Sequence, residues 1–326
     1  MTMTASSSAQ TLYGLTVVSE IDLHQRRPAQ PGAAPDVVIR RGEALVANHE
    51  PPPGRVLVHH VLSDDMYYTF AEQPDGGCVL RFAGACDFEV APGLRDVTVR
   101  VVDGADPELA GVLASGALLS FLLLMRGEPV LHASAVDVGQ RAIAFVGYSG
   151  MGKSTMAALV AAHRGSLVTD DVLRLDLSEG GARCYLGATE LRLRKAAGEL
   201  AERFDHDVER RVTSDQRDAL RLTAATDTAL PLGAVVVPRP RRDVARLEVV
   251  RQPAKDAVLA LVRYPRILGW QDPRVQAQQF EHLATLAERV PVYLADVPWG
   301  PPFADDLAPR LLDAVGLAPA DSRSAG

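Results

Sequence analysis

The residues that constrain the chemistry of this chain first are Gly147, Gly152, Lys153 and Ser154, which fill the fixed positions of a Gly-x-x-x-x-Gly-Lys-Ser loop. Gly150 adds a third glycine, and Tyr148, Ser149 and Met151 complete the stretch. Without Cβ atoms the loop can curl until several backbone N–H groups face one centre, and a following helix adds its positive N-terminal dipole. Such a nest takes phosphate. Lys153 brings a point charge to the β- and γ-phosphates of a nucleotide, and the Ser154 hydroxyl is a hard oxygen ligand for Mg2+. Contacts to a bound nucleotide are therefore expected from Gly147, Ser149, Gly150, Met151, Gly152, Lys153, Ser154 and Thr155.

A second group of reactive side chains follows. The segment 166–171 reads as a short strand ending in Asp170 and Asp171, the latter seventeen residues past Ser154. In α/β sheets ligands sit beyond the carboxyl ends of strands, so both carboxylates should enter the crevice that holds the phosphates. One can hold Mg2+, directly or through water, and one can accept the proton of an attacking hydroxyl. His132 lies upstream on a strand expected to neighbour the loop strand; a single His on a strand is by default a satisfied structural residue. Glu190, Arg192 and Arg194 alternate with apolar residues and share one strand face, which could bring a carboxylate and guanidinium groups towards the same centre or simply face water.

These groups need elements to carry them. Residues 141–146 form an apolar run suited to a buried strand, and 155–163 are good helix formers, so the glycine loop sits between strand and helix. Gly139 and Gln140 read as a two-residue hairpin of type II′ joining 129–138 to the loop strand. From 13 to 101 the chain shows seven short β-rich segments separated by Pro- and Gly-rich breaks, which predicts an antiparallel β domain. Neither His59-His60 nor Asp64-Asp65 makes a joint metal site, because neighbours on a strand point to opposite faces. Asp106, Pro107 and Glu108 open a long apolar helix, whose 17-residue run 109–125 is at the lower limit of about 17 to 25 for a membrane span. Gly111, Ser115, Gly116 and Ser120 favour a buried helix instead. Downstream, 198–226 is helical in tendency with Arg210-Arg211 on the surface, 231–238 is a core strand, and 238–242 is a basic loop. Helices are expected at 254–262, 275–289 and 303–315, with a strand at 290–295.

The chain has 326 residues, enough for two domains. Its net charge of −7 argues against a nucleic-acid surface. Three cysteines without Cys-x-x-Cys spacing support neither a disulfide framework nor a zinc site, which fits a reducing, cytoplasmic setting, and the N-terminus has no secretory signal.

With these motifs in register, the chain resembles the catalytic domain of HPr kinase/phosphorylase, a P-loop fold similar to phosphoenolpyruvate carboxykinase. The resemblance rests on Val130, Leu131, His132 and Ala133, on the loop 147–154, and on 167–171, and it covers about residues 128–316. The whole chain is similar to the HPr-kinase-like proteins of peptide-maturation systems, including lasso-peptide precursor kinases. The resemblance implies that His132 is an active-site histidine, Lys153 the phosphate lysine, Ser154 the Mg2+ ligand, Asp171 the proton acceptor, Asp170 its acidic neighbour, and Glu190 a second metal-binding carboxylate. Thr155 stands where those kinases usually have Glu, and the C-terminal stretch tied to the reverse reaction has no counterpart, so kinase activity is favoured over bifunctionality.

The expected organisation is thus α/β: a tail at 1–12, a β-rich domain at 13–105, a buried connecting helix at 106–127, a P-loop kinase domain at 128–316 and a tail at 317–326. The expected activity is an ATP- and Mg2+-dependent kinase acting on a hydroxyl, foremost a Ser or Thr of a peptide or small protein. A sugar or amino-acid kinase, and a non-catalytic nucleotide-gated binding protein, are the alternatives. Neither nucleic acid nor membrane is expected as a partner, and a homo-oligomer stays open.

Overall fold

In a computed structural model the chain divides into two compact units, Met1–Glu128 with Arg266–Gln279, and Pro129–Pro265 with Phe280–Gly326. The residues described are 8–46, 49–63, 66–193, 200, 204, 208–213, 217–225 and 228–318; Asp64, Asp65, Arg194 and the C-terminal residues from 319 lie outside them.

The first unit is built on eight strands: β1 (Ser8–Leu12), β2 (Leu15–Ser19), β3 (Val37–Arg41), β4 (Arg55–Ser63), β5 (Met66–Glu72), β6 (Cys78–Phe82), β7 (Cys86–Val90) and β8 (Asp96–Val101). They form one sheet in the order β1-β2-β3-β8-β7-β6-β5-β4. The sheet is mixed, not purely antiparallel, because β2 pairs β3 and β3 pairs β8 in parallel. The connection between β2 and β3 is long enough for the crossover that a parallel pair requires. Nor is 8–12 a loose tail: β1 pairs β2 from Ser8↔Ser19 to Leu12↔Leu15, anchored by fully buried Leu12 and Tyr13.

The apolar helix opens as expected, with the Asp106 side chain accepting the Glu108 N–H at 2.9 Å and Pro107 in the first turn. It runs as α1 (Pro107–Leu113), a π-helical turn at Ala114–Leu118 and α2 (Leu119–Met125). Although long and apolar enough to cross a bilayer, it is mostly buried in the protein. Phe121 meets Phe70 edge-on at 5.5 Å and stacks on Trp270 at 5.9 Å, and the Tyr13 hydroxyl donates to the Ser115 carbonyl. Trp270 belongs to the 266–279 segment, so the stretch 128–316 is not one continuous domain. The His59 N–H donates to the Gly269 carbonyl, and Arg55 pairs with Asp272, holding that segment on β4.

The second unit carries β9 (Val130–Leu131), β10 (Ala133–Asp137), β11 (Ala142–Val146), α3 (Lys153–Arg164), β12 (Ser166–Thr169), β13 (Leu173–Asp176) and β14 (Arg183–Tyr185). Then come β15 (Glu190–Leu193), β16 (Glu209–Val212), β17 (Asp218–Arg221), β18 (Ala229–Arg241), β19 (Glu248–Arg251), α4 (Ala254–Leu261), α5 (Pro273–Arg289), which belongs to this unit from Phe280 on, β20 (Val292–Pro298) and α6 (Leu307–Ala314). Nine of these strands form one sheet, and β15-β17-β16 form a small second sheet. Every residue of β11 is buried, because the sheet is covered on both faces. Ile143 and Phe145 pack with Met156 and Leu159 of α3 and Leu311 of α6. Ala142, Ala144 and Val146 point the other way, towards Leu261 of α4 and Leu286 of α5.

Strand direction places the site. β11, β18 and β20 are mutually parallel neighbours, and β10 is antiparallel to both β11 and β12, so β12 runs the same way as β11. The carboxyl ends of β11, β12, β18 and β20 and the amino end of β10 therefore share one margin of the sheet.

Three local expectations change. Gly139 and Gln140 both have positive φ, 89° and 66°, which makes the hairpin turn type I′ instead of II′. The stretch around Arg210-Arg211 is strand, not helix: β16 and β17 pair with one another and β17 with β15, a tertiary pairing that overrides local propensity. The basic segment 238–242 continues β18, whose residues Pro238–Arg241 pair with β20. β11 reaches only to Val236 of β18, so beyond it one edge of β18 needs no donor and Pro238 and Pro240 are tolerated.

Candidate functional site

The glycine loop leaves the carboxyl end of β11 and enters α3 at Lys153. Gly150 and Gly152 hold φ of 92° and 86°, the left-handed region where a Cβ is costly. Gly147 serves differently: a Cβ there would press on Met151, whose Cβ and Sδ lie 3.2 and 3.3 Å from that position. Met151 closes the loop on itself, its sulfur accepting the Tyr148 N–H and its own N–H donating to the Tyr148 carbonyl. Gly152 caps α3 without any side-chain hydrogen bond, so the first turn of the helix turns its N–H groups towards the loop's concave side. Lys153 is buried, with Nζ 3.2 Å from the Tyr148 carbonyl.

Next to the loop, the carboxyl end of β12 delivers the two acids. Asp170 is buried, and its Oδ1 accepts from Ser134 Oγ at 2.6 Å and Ser154 Oγ at 2.9 Å, while Oδ2 accepts the Arg192 N–H at 3.0 Å. Asp171 turns the other way. Its backbone is left-handed, with φ of 73°, and its Oδ1 lies 3.0 Å from His132 Nε2 while Oδ2 lies 3.5 Å from Arg192 Nη2. His132 sits in the break between β9 and β10, where Ala133 faces Val146, the last residue before the loop. It thus contacts an acid and is not buried as a silent core residue.

A cavity of about 420 Å3 gathers these groups. Ser149, Gly150, Met151, Gly152, Lys153, Ser154 and Thr155 line it, as do His132, Asp170 and Asp171. Lys153, Arg192 and Arg217 set three cationic side chains against two carboxylates, a balance that suits a polyanion. Gly147 and Glu190 are not among its lining residues. Glu190 is instead buried in the small sheet, its carboxylate 2.8 Å from Arg211 Nη2 and 2.7 Å from Arg221 Nη2. A carboxylate already held by two guanidinium groups is poorly placed to ligate a metal, so the expected set Ser154, Asp170 and Glu190 does not assemble. Among the described residues no cluster of three or more His, Cys, Asp or Glu side chains could hold a metal.

Two participants escape the sequence reading. Ser134 lies two residues past His132 and so shares its strand face, a period-two signal that was available. Arg217 immediately precedes β17, in a stretch read as helical, and carries no local signal.

No protein-family model matches the chain, and neither does any curated protein. Among solved structures, the chain is similar to the Hpr(Ser) kinase/phosphatase from Coxiella burnetii, at 11% identity over 58% of this chain and 92% of that chain, with a TM-score of 0.27.

Proposed function

We propose that this chain is a phosphotransferase that moves the γ-phosphoryl group of ATP, with Mg2+, to a hydroxyl, foremost a Ser or Thr of a peptide or small protein in the cytoplasm. On this reading the second unit is a P-loop domain of the HPr-kinase and phosphoenolpyruvate-carboxykinase type. The reading rests on the site, not on the structural likeness. What carries it is one observation: the Lys153–Ser154 turn and the His132–Asp170–Asp171 group line a single cavity.

The roles follow from chemistry. The loop N–H groups and Lys153 hold the β- and γ-phosphates. The donor set suits Mg2+, which keeps waters and substrate phosphates as ligands and needs only one or two protein oxygens; Ser154 Oγ and Asp170, 2.9 Å apart, would supply them. When bound, Mg2+ neutralises charge on the phosphates. Asp171 accepts the proton of the attacking hydroxyl, with His132 and Arg192 fixing its two oxygens. Holding hydroxyl and phosphate in line supplies most of the remaining rate, since phosphoryl transfer is largely positioning and electrostatics.

The test is transfer of label from γ-labelled ATP to a panel of peptides, sugars and amino acids. Asp171→Asn should lower transfer by about 10²- to 10⁴-fold while ATP binding stays nearly intact. Full turnover in that variant would remove Asp171 from the mechanism, and label on a sugar alone would replace the peptide acceptor. Nucleotide binding with transfer to no acceptor would favour a nucleotide-gated binding protein.

A further inference from the structure

One wall of the cavity is chemically distinct. Pro238, Pro240, Val297, Pro298, Trp299 and Phe303 line it, and apart from the indole N–H none has a hydrogen-bonding side chain. The wall begins at the glycine loop itself: a Cβ on Gly152 would lie 3.7 Å from Pro240 Cγ. It is built by the parallel pairing of β18 with β20, which sets Pro240 beside Val297, and by the Trp299 N–H donating to the Arg241 carbonyl. Gly300 lets the Phe303 ring lie against the chain, since a Cβ there would come within 2.5 to 2.8 Å of the ring. Trp299 remains 55% exposed, and the Arg242 guanidinium carbon stands 4.2 Å from its ring centroid.

A large aromatic left half in water at the rim of a cavity, with a guanidinium fixed over the ring, is a stacking platform awaiting a flat partner. The phosphate-seeking groups line the same cavity. A ligand with a polyanion at one end and a flat ring at the other satisfies both, and a nucleoside triphosphate is such a ligand.

We propose that Trp299, backed by Arg242 and flanked by Pro298 and Phe303, seats the nucleobase of the donor, and that it does so by stacking, so that adenine and guanine are accepted alike. This rests on the nucleotide reading of the site. Base–aromatic stacking is tolerant of base identity because every base has a π face.

The test compares ATP, GTP and inorganic tripolyphosphate, each with Mg2+, by calorimetry on the full chain and on Trp299→Ala and Trp299→Phe. In the unsubstituted chain ATP and GTP should bind within about threefold of one another, and both about tenfold tighter than tripolyphosphate. Trp299→Ala should weaken both nucleotides about tenfold and leave tripolyphosphate unchanged; Trp299→Phe should recover most of the loss. The chain has two tryptophans, Trp270 and Trp299, so in Trp270→Phe the remaining fluorescence should respond to ATP but not to tripolyphosphate. Tripolyphosphate binding combined with an unchanged ATP affinity in Trp299→Ala would overturn the base seat while leaving the phosphate loop standing. A change in acceptor KM alone would give the wall to the acceptor, and a preference for one purine above about a hundredfold would show hydrogen-bond reading of the base. If neither ATP nor tripolyphosphate binds, the nucleotide reading fails first.

Discussion

Glu190 separates two accounts of the site by a single substitution. As a structural residue it is a buried carboxylate between Arg211 and Arg221, joining β15, β16 and β17. As a metal ligand it would face Ser154 and Asp170. Glu190→Gln keeps the shape and removes the charge, leaving two guanidinium groups against a neutral amide. A hydrogen bond to a charged group is worth about 1.5–3 kcal/mol. Arg211 and Arg221 keep 28% and 18% side-chain exposure, and Arg221 retains Glu209, so water and the second acid return part of the loss. The net cost comes to about 2 kcal/mol, or about 4–8 °C in Tm for a unit of this size. Because β15 also supplies the Arg192 N–H to Asp170, kcat should fall with stability while the Mg2+ concentration at half-activation stays put. Calorimetry and a Mg2+ titration of turnover read the two separately. A tenfold rise in half-activating Mg2+ with unchanged Tm would restore Glu190 as a ligand and refute the argument.

Asp272, whose side chain is almost fully buried, accepts the Arg274 N–H at 2.9 Å and pairs with the Arg274 and Arg55 guanidinium groups. The Arg274 hydrogen bond first, then Arg55, holds its pKa well below the usual carboxylate range. A depressed acid adds stability that is complete above about pH 4, the unfolded value, and is lost as pH falls through the folded one. Asp272→Asn should therefore flatten the acid limb of Tm against pH below about pH 4 and lower the plateau; an unchanged limb would refute this. Burial pushes the thiols of Cys78, Cys86 and Cys184 up to about 11, 12 and 12, so all three should resist iodoacetamide at pH 8 until the chain is denatured; rapid labelling of any one would contradict their burial. Ser134→Ala removes one of the three donors to Asp170 and should cost about 1–3 kcal/mol in thermal unfolding, with tripolyphosphate binding unchanged.

Much of this was readable from local pattern. The apolar run before the loop, the helix after it and the β-rich stretches of the first unit each carry their own period, and Asp106-Pro107-Glu108 announces its helix by cap chemistry. What could not be read was set by partners distant in sequence. The parallel placement of β3 between β2 and β8 depends on the sheet as a whole. The segment 266–279 joins the first unit through Trp270 and Asp272, neither of which signals it locally. Glu190 and Arg192 share a strand face and both pair with β17, yet Glu190 lies opposite Arg221 and is held by it and Arg211, whereas Arg192 lies opposite Ala219 and reaches Asp171.

The backbone at Asp171 links these levels. Its φ of 73° is an uncommon conformation for a residue with a Cβ, though Asp tolerates it better than most. It persists because Asp170 and Asp171, adjacent in sequence, are required on different partners: one by Ser134, Ser154 and the Arg192 N–H, the other by His132 and the Arg192 side chain. A right-handed residue at 171 would carry the second carboxylate off with the following strand. The unusual backbone therefore falls where two adjacent acids are held on different partners within one cavity. Lys153, Ser154 and the acids come from two loops of unlike sequence, and β11 and β12 bring them together only because β10, antiparallel to both, makes the two strands point the same way.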